Sequence, residues 1–152
     1  MTLFNKCFAM PNSETFKIKP IREFVEHWTT QVINPIIVDP FARNSRVGTI
    51  TNDLNPDTDA MYHLKADAFL NMLIDQKIQA DVVLYDPPYS PRQISECYSA
   101  SGIKTTQQDT QSSFYTIIKN LIRPLVKPNG IVLSFGWNSM GVGKTFGKCE
   151  EI

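Results

Sequence analysis

Three short runs, IIVD (36–39), DVVLYD (81–86) and GIVLSFG (130–136), are apolar without alternation. A strand with one wet face alternates apolar and polar residues, so a continuous run marks a strand covered on both faces. Sheets covered on both faces are typically parallel, with helices as the covering layers. The intervening sequence supplies such helices. Ile21, Phe24, Val25, Trp28 and Val32 recur at helical spacing behind Pro20, which suits a first turn. Over 66–75, Phe69, Leu70 and Leu73 share one face, and over 112–126 Phe114, Ile117, Ile118, Leu121, Ile122 and Leu125 follow a helical repeat. Ser112 or Ser113 is placed to cap that last helix, Pro124 to distort its final turn, and Pro128, Asn129 and Gly130 to stop it. A fourth β-rich run, VGTITND (47–53), completes a predicted α/β doubly wound sheet in one domain over 1–152.

In that architecture ligands bind beyond the carboxyl ends of the strands. Here those ends carry Asp39, Asp53 and Asp86, and Asp67 opens a helix. Four carboxylates on one rim exceed what solubility of strand ends requires, although capping or turn duty is the alternative for Asp39, Asp53 and Asp67. The polar stretch 90–111 reads as one long flexible loop, either a lid beside the rim or a plain connection.

Composition removes several classes. Hydrophobic residues make up 42% of the 152 and charged residues 20%, an ordinary globular balance. No apolar run approaches the ~20 residues of a membrane helix. The first residues lack the apolar core of a secretory signal, so the expected location is cytoplasmic. Cys7, Cys97 and Cys149 are scattered and His27 and His63 do not join them, so no metal site or disulfide framework is expected. Fifteen basic and fifteen acidic residues cancel, so any nucleic acid is held locally, weakly or with a partner's help. GVGKT (141–145) lacks the spacing of a phosphate-binding loop.

The chemistry concentrates in Asp86, Pro87, Pro88 and Tyr89. Proline fixes φ and has no N–H, so the pair forms a rigid turn that offers only carbonyls. A carboxylate and a carbonyl beside an aromatic face form a receptor for a planar group bearing an amine. Accepting both amine hydrogens on Asp86 and Pro87 would localise the nitrogen lone pair and stabilise the positive charge that grows as nitrogen attacks.

YDPPYS (85–90) resembles motif IV of the adenine-specific, amino-directed DNA methyltransferases, which use S-adenosylmethionine. Members of that family flip an adenine out of the duplex and stack it on the motif's aromatic residue, here Tyr89. FKIKPI (16–21) is similar to the family's N-terminal cofactor motif, which implies that Phe16, Lys17 and Pro20 lie near the methionine part. VDPFA (38–42) resembles motif I, which implies Asp39 near the methionyl amine, with Pro40 and Phe41 beside it. NDLNP (52–56) resembles the end of the second strand, where Asp53 would accept from the ribose hydroxyls. ADAFLNML (66–73) resembles the next motif, which implies Asp67 and Ala68 beside the cofactor's adenine amine, and KPNGIVLSFGW (127–137) the strand after motif IV. The matches run in family order, and their texture is that of small adenine methyltransferases of phages and mobile elements.

The resemblance implies a Rossmann-like methyltransferase sheet that methylates N6 of adenine in double-stranded DNA. The sequence departs from the family in four places. DPFARNS (39–45) has no glycine where motif I normally has them, leaving Asn44 as the residue tolerant of positive φ. Only seven residues separate Asp39 from Val47, so the first crossover helix shortens to a turn. No separate target-recognition domain fits between Asp39 and Asp86, which leaves recognition to a protein partner or a segment outside this chain. The family fold continues past the fourth strand, so a C-terminally truncated core is expected. The alternatives are an RNA amino methyltransferase of the ribosomal guanine type and a non-catalytic binding module on the same fold.

Overall fold

Val38 and Val83 sit side by side in neighbouring strands and neither reaches solvent, as their continuous apolar runs require. The structure is a computed structural model that describes residues 14–88, 90–102, 104, 112–136, 141–143 and 145–150. A single 3-10 turn, Thr15–Lys17, leads into α1 (Lys19–Thr29), followed by β1 (Ile37–Asp39), β2 (Ile50–Thr51), α2 (Ala66–Asp75) and β3 (Ala80–Tyr85). Then come α3 (Pro91–Ala100), α4 (Ser112–Leu125) and β4 (Val126–Ser134). Among the described residues the strands form one parallel four-stranded sheet in the order β2-β1-β3-β4. This is an α/β fold whose strand order is compatible with a Rossmann-like sheet.

Successive residues of β1 and β3 point to opposite faces, which divides the core in two. Val38, Val83 and Tyr85 meet Phe69, Leu70 and Leu73 of α2, Ile94 and Tyr98 of α3, and Phe114, Ile118, Ile122 and Leu125 of α4. Ile37, Val82, Leu84 and Leu133 meet Val25 of α1, with Phe16, Phe24 and Trp28 packed around them. Each fully buried aliphatic or aromatic side chain contributes about 1.5–3 kcal/mol, so α4, with four on its core face, is a principal support of the sheet.

Five sequence expectations change. The run 90–111 is not one loop, because residues 91–100 are helical. Ile94 and Tyr98, one turn apart, are buried, Ser90 Oγ accepts the Gln93 N–H at 3.2 Å, and Arg92 pairs with Glu96 at 2.7 Å. Ile94, Cys97 and Tyr98 stand at helical spacing, but a single short repeat inside a long polar run is too weak a pattern to mark a helix. Residues 103 and 105–111 lie outside the described ones. The second strand is only Ile50–Thr51, not 47–53, because the chain turns away at Asn52, whose side chain bonds to neighbouring loops.

The last strand begins directly after α4, at Val126, and takes up Pro128, Asn129 and Gly130 as a bulge. The pairing jumps from Ala80↔Val126 to Val82↔Ile131, with Asn129 at φ 65°. Of this strand only Leu133 is buried, so it is not covered on both faces as its run suggested. It is the edge of the described sheet. Finally, Ser112 is the first residue of α4 rather than its cap, and Ser113 Oγ is buried without a partner.

Candidate active site

β1 is followed by a neighbour on one side, β2, and β3 by a neighbour on the other, β4, so the chain reverses direction between β1 and β3. Two loops part at such a point and open a crevice at the carboxyl ends. A cavity of about 600 Å³ lies there, lined by Phe16 and Lys17 of the 3-10 turn, by residues 41–47 after β1, and by Asp86 after β3. Its size is ordinary for a small-molecule site. A smaller cavity of about 350 Å³, between Arg46, Thr51 and Met61, contains none of the residues expected from the sequence.

Asp39 closes β1 beneath this cavity and is wholly buried. Its Oδ1 accepts the Phe41 N–H at 3.1 Å, while Oδ2 has no partner. Burial pushes its pKa up to about 7 against the one opposing hydrogen bond from Phe41, and the nearby carboxylates Asp86 and Asp53 add to the rise. The carboxylates that end β1, β2 and β3 therefore form one electrostatic cluster. Gly48 permits the tight loop over it, since a Cβ there would stand 2.9 Å from both Asp39 Cβ and Thr51 Cγ2.

The loop after β1 replaces glycine in an unexpected way. Arg43, rather than Asn44, takes the left-handed conformation, at φ 51°. Its N–H donates to Asp53 Oδ2 at 3.0 Å, and Asp53 Oδ1 accepts the Asn55 N–H at 2.9 Å. Asp53 thus holds two loops together through the backbone. Asn52 does the same more deeply, at 1% exposure. Its Nδ2 donates to Pro40 O at 3.2 Å and Leu64 O at 3.0 Å, and its Oδ1 accepts the Leu64 N–H at 3.0 Å. An isolated parallel bridge, Asn52↔Tyr62, extends the sheet one residue pair beyond β2.

After β3 the chain runs through Asp86, half-buried, then Pro87, buried, and Pro88, half-buried. The Pro88 carbonyl accepts the Tyr115 hydroxyl of α4 at 2.7 Å. Tyr85, just before Asp86, has a buried hydroxyl without a partner, and burial raises its pKa. Phe41 meets Tyr85 and Phe114 edge-on, at 6.4 and 6.5 Å between ring centres. Phe16 packs on Phe135 at 5.3 Å, which ties the 3-10 turn to the end of β4.

Of the residues singled out from the sequence, Phe16, Lys17, Phe41 and Asp86 meet on the cavity wall, with Asp39 and Pro40 buried behind and Asp53 clasping the loop. Pro20, in the first turn of α1, and Asp67 and Ala68, in the first turn of α2, do not line it. Tyr89 and Trp137 lie outside the described residues. Asn52, Arg43 and Tyr115 were not marked as site residues by the sequence, because their partners are set by the fold. No group of three or more His, Cys, Asp or Glu able to hold a metal ion occurs among the described residues, and no described helix is long and apolar enough to cross a membrane. Comparison with protein-family models, curated proteins and solved structures finds no match for the chain.

Proposed function

We propose that this chain transfers a methyl group from S-adenosylmethionine to the N6 amino group of adenine in DNA. The observation that carries the reading is Asp86 on the wall of the switch-point cavity, with Pro87 buried directly after it and Asp39 beneath. The fit to the cofactor rests on the same floor. A buried carboxylate oxygen without a partner, next to two further carboxylates, favours a positively charged ligand. S-adenosylmethionine is such a ligand, and when bound it supplies an electrophilic methyl group on a sulfonium.

Phe16, Lys17 and Phe41 would hold it from the cavity wall, with Asp39 and Asp53 behind the loop that lines it. Asp86 and the Pro87 carbonyl would accept the two amine hydrogens, orient the nitrogen and localise its lone pair. As nitrogen becomes positively charged, the Asp86 carboxylate takes the proton it sheds. Tyr89 would stack the flipped base, as the family resemblance implies. Pro20, Asp67 and Ala68 stand away from the cavity lining and have no part in this scheme.

The second reading is a non-catalytic module, and Arg43 in a left-handed conformation where the family places glycine is the observation that favours it. Calorimetric titration with S-adenosylmethionine, followed by transfer of labelled methyl to unmethylated DNA and to RNA, separates the readings. Saturable binding and label on DNA, lost in Asp86→Ala with binding kept, is the expected result. No binding overturns the enzyme reading, and label on RNA alone reassigns the substrate.

A further inference from the structure

The turn after β3 has one tether that neither prolines nor strand pairing supply. Tyr115, in the first turn of α4, donates its hydroxyl to the Pro88 carbonyl at 2.7 Å from a position 27 residues along the chain. The ring itself packs edge-on against Phe114 at 5.4 Å, and Phe114 reaches Phe41 on the cavity wall. The phenol is protonated and able to donate at neutral pH, and burial raises its pKa further from that range.

Proline rings fix φ at Pro87 and Pro88, so the remaining freedom of this turn is the rotation of each peptide plane. A hydrogen bond to the Pro88 carbonyl fixes one of those planes. It also occupies a carbonyl that would otherwise compete for an incoming amine.

We propose that Tyr115 is a positioning residue whose hydroxyl locks the Pro88 carbonyl, so that Asp86 and the Pro87 carbonyl keep the spacing an amino group requires. The inference rests on the amino methyl transfer proposed for the same turn. Its contribution to folding is small, because α4 is already anchored by Phe114, Ile118, Ile122 and Leu125, and Tyr115 is only half-buried, so water can replace the lost donor.

Tyr115→Phe removes the one donor and leaves the ring. The expected result is an unchanged melting temperature and cofactor affinity, with kcat on DNA lower by about tenfold. A kcat within about twofold of the wild type overturns the proposal. A second readout is independent of activity: the carbonyl carbon of Pro88, labelled and followed by NMR, shifts in the variant, and that of Pro87 shifts with it. An unmoved Pro88 resonance also overturns it. A wild-type protein that neither binds S-adenosylmethionine nor methylates DNA refutes the reading of the site, and the Pro88 resonance then still decides whether the lock exists.

Discussion

Asp39 keeps a carboxyl group in the core with one oxygen unpaired, and the consequence is a definite pH dependence. Its folded pKa is about 7 against 3.8 for the free group, so between those values the folded chain holds a proton that the unfolded chain does not. Stability from this group is therefore highest at acid pH, falls as pH rises through the window, and levels off above about 7. Asp39→Asn removes the titration. In urea unfolding the variant should match the wild type near about pH 4 and exceed it near about pH 8, and a gap that fails to widen with pH would contradict the assignment. Arg43 carries a different cost. A left-handed conformation costs a side-chain-bearing residue ~1–2 kcal/mol, and glycine's greater chain entropy takes back ~0.5–1, so Arg43→Gly should raise unfolding free energy by ~0.5–1 kcal/mol. Its backbone bond to Asp53 survives the change, and an equal or lower stability would mean that the φ of 51° is not a strained one.

Among the elements, the short second strand is joined to the loops around it by the side chain of Asn52 as well as by strand pairing. Asn52→Ala leaves the Pro40 and Leu64 carbonyls and the Leu64 N–H without a side-chain partner and should cost ~2–4 kcal/mol in denaturant unfolding. A loss below ~1 kcal/mol would show that the loops hold without it. No local pattern announces this role, because every partner of the Asn52 side chain lies twelve residues away. The same physics decides what the sequence could reveal elsewhere. β1 and β3 were legible because burial on both faces imposes an unbroken apolar run. α2 and α4 were legible because their core faces repeat every three or four residues. Among the described side chains of α3, Ile94 and Tyr98 face the core, and β4 is wet along the edge of the described sheet, so both gave weak or misleading patterns. In the candidate site, Asp86 and Asp39 could be read from their places at strand ends. The unpaired oxygen of Asp39 and the Tyr115 lock exist only once separate segments meet.

For the whole molecule, the sheet order sets the location of the candidate site. Reversal between β1 and β3 brings the ends of strands more than forty residues apart in sequence to one cavity, with carboxylates on its floor and Lys17, Arg43 and Arg46 around it. Equal numbers of basic and acidic residues give no net positive charge, so under the proposed function contact with DNA would rest on such local cations and on the flipped base. The most direct measurement is mass spectrometry of nucleosides from unmethylated duplex DNA incubated with the protein and S-adenosylmethionine. The wild type should yield N6-methyladenine, and Asp86→Ala at least about a hundredfold less, because the amine loses its acceptor. Absence of N6-methyladenine from a wild-type protein that binds the cofactor, or an equal yield from Asp86→Ala, would contradict the proposed function.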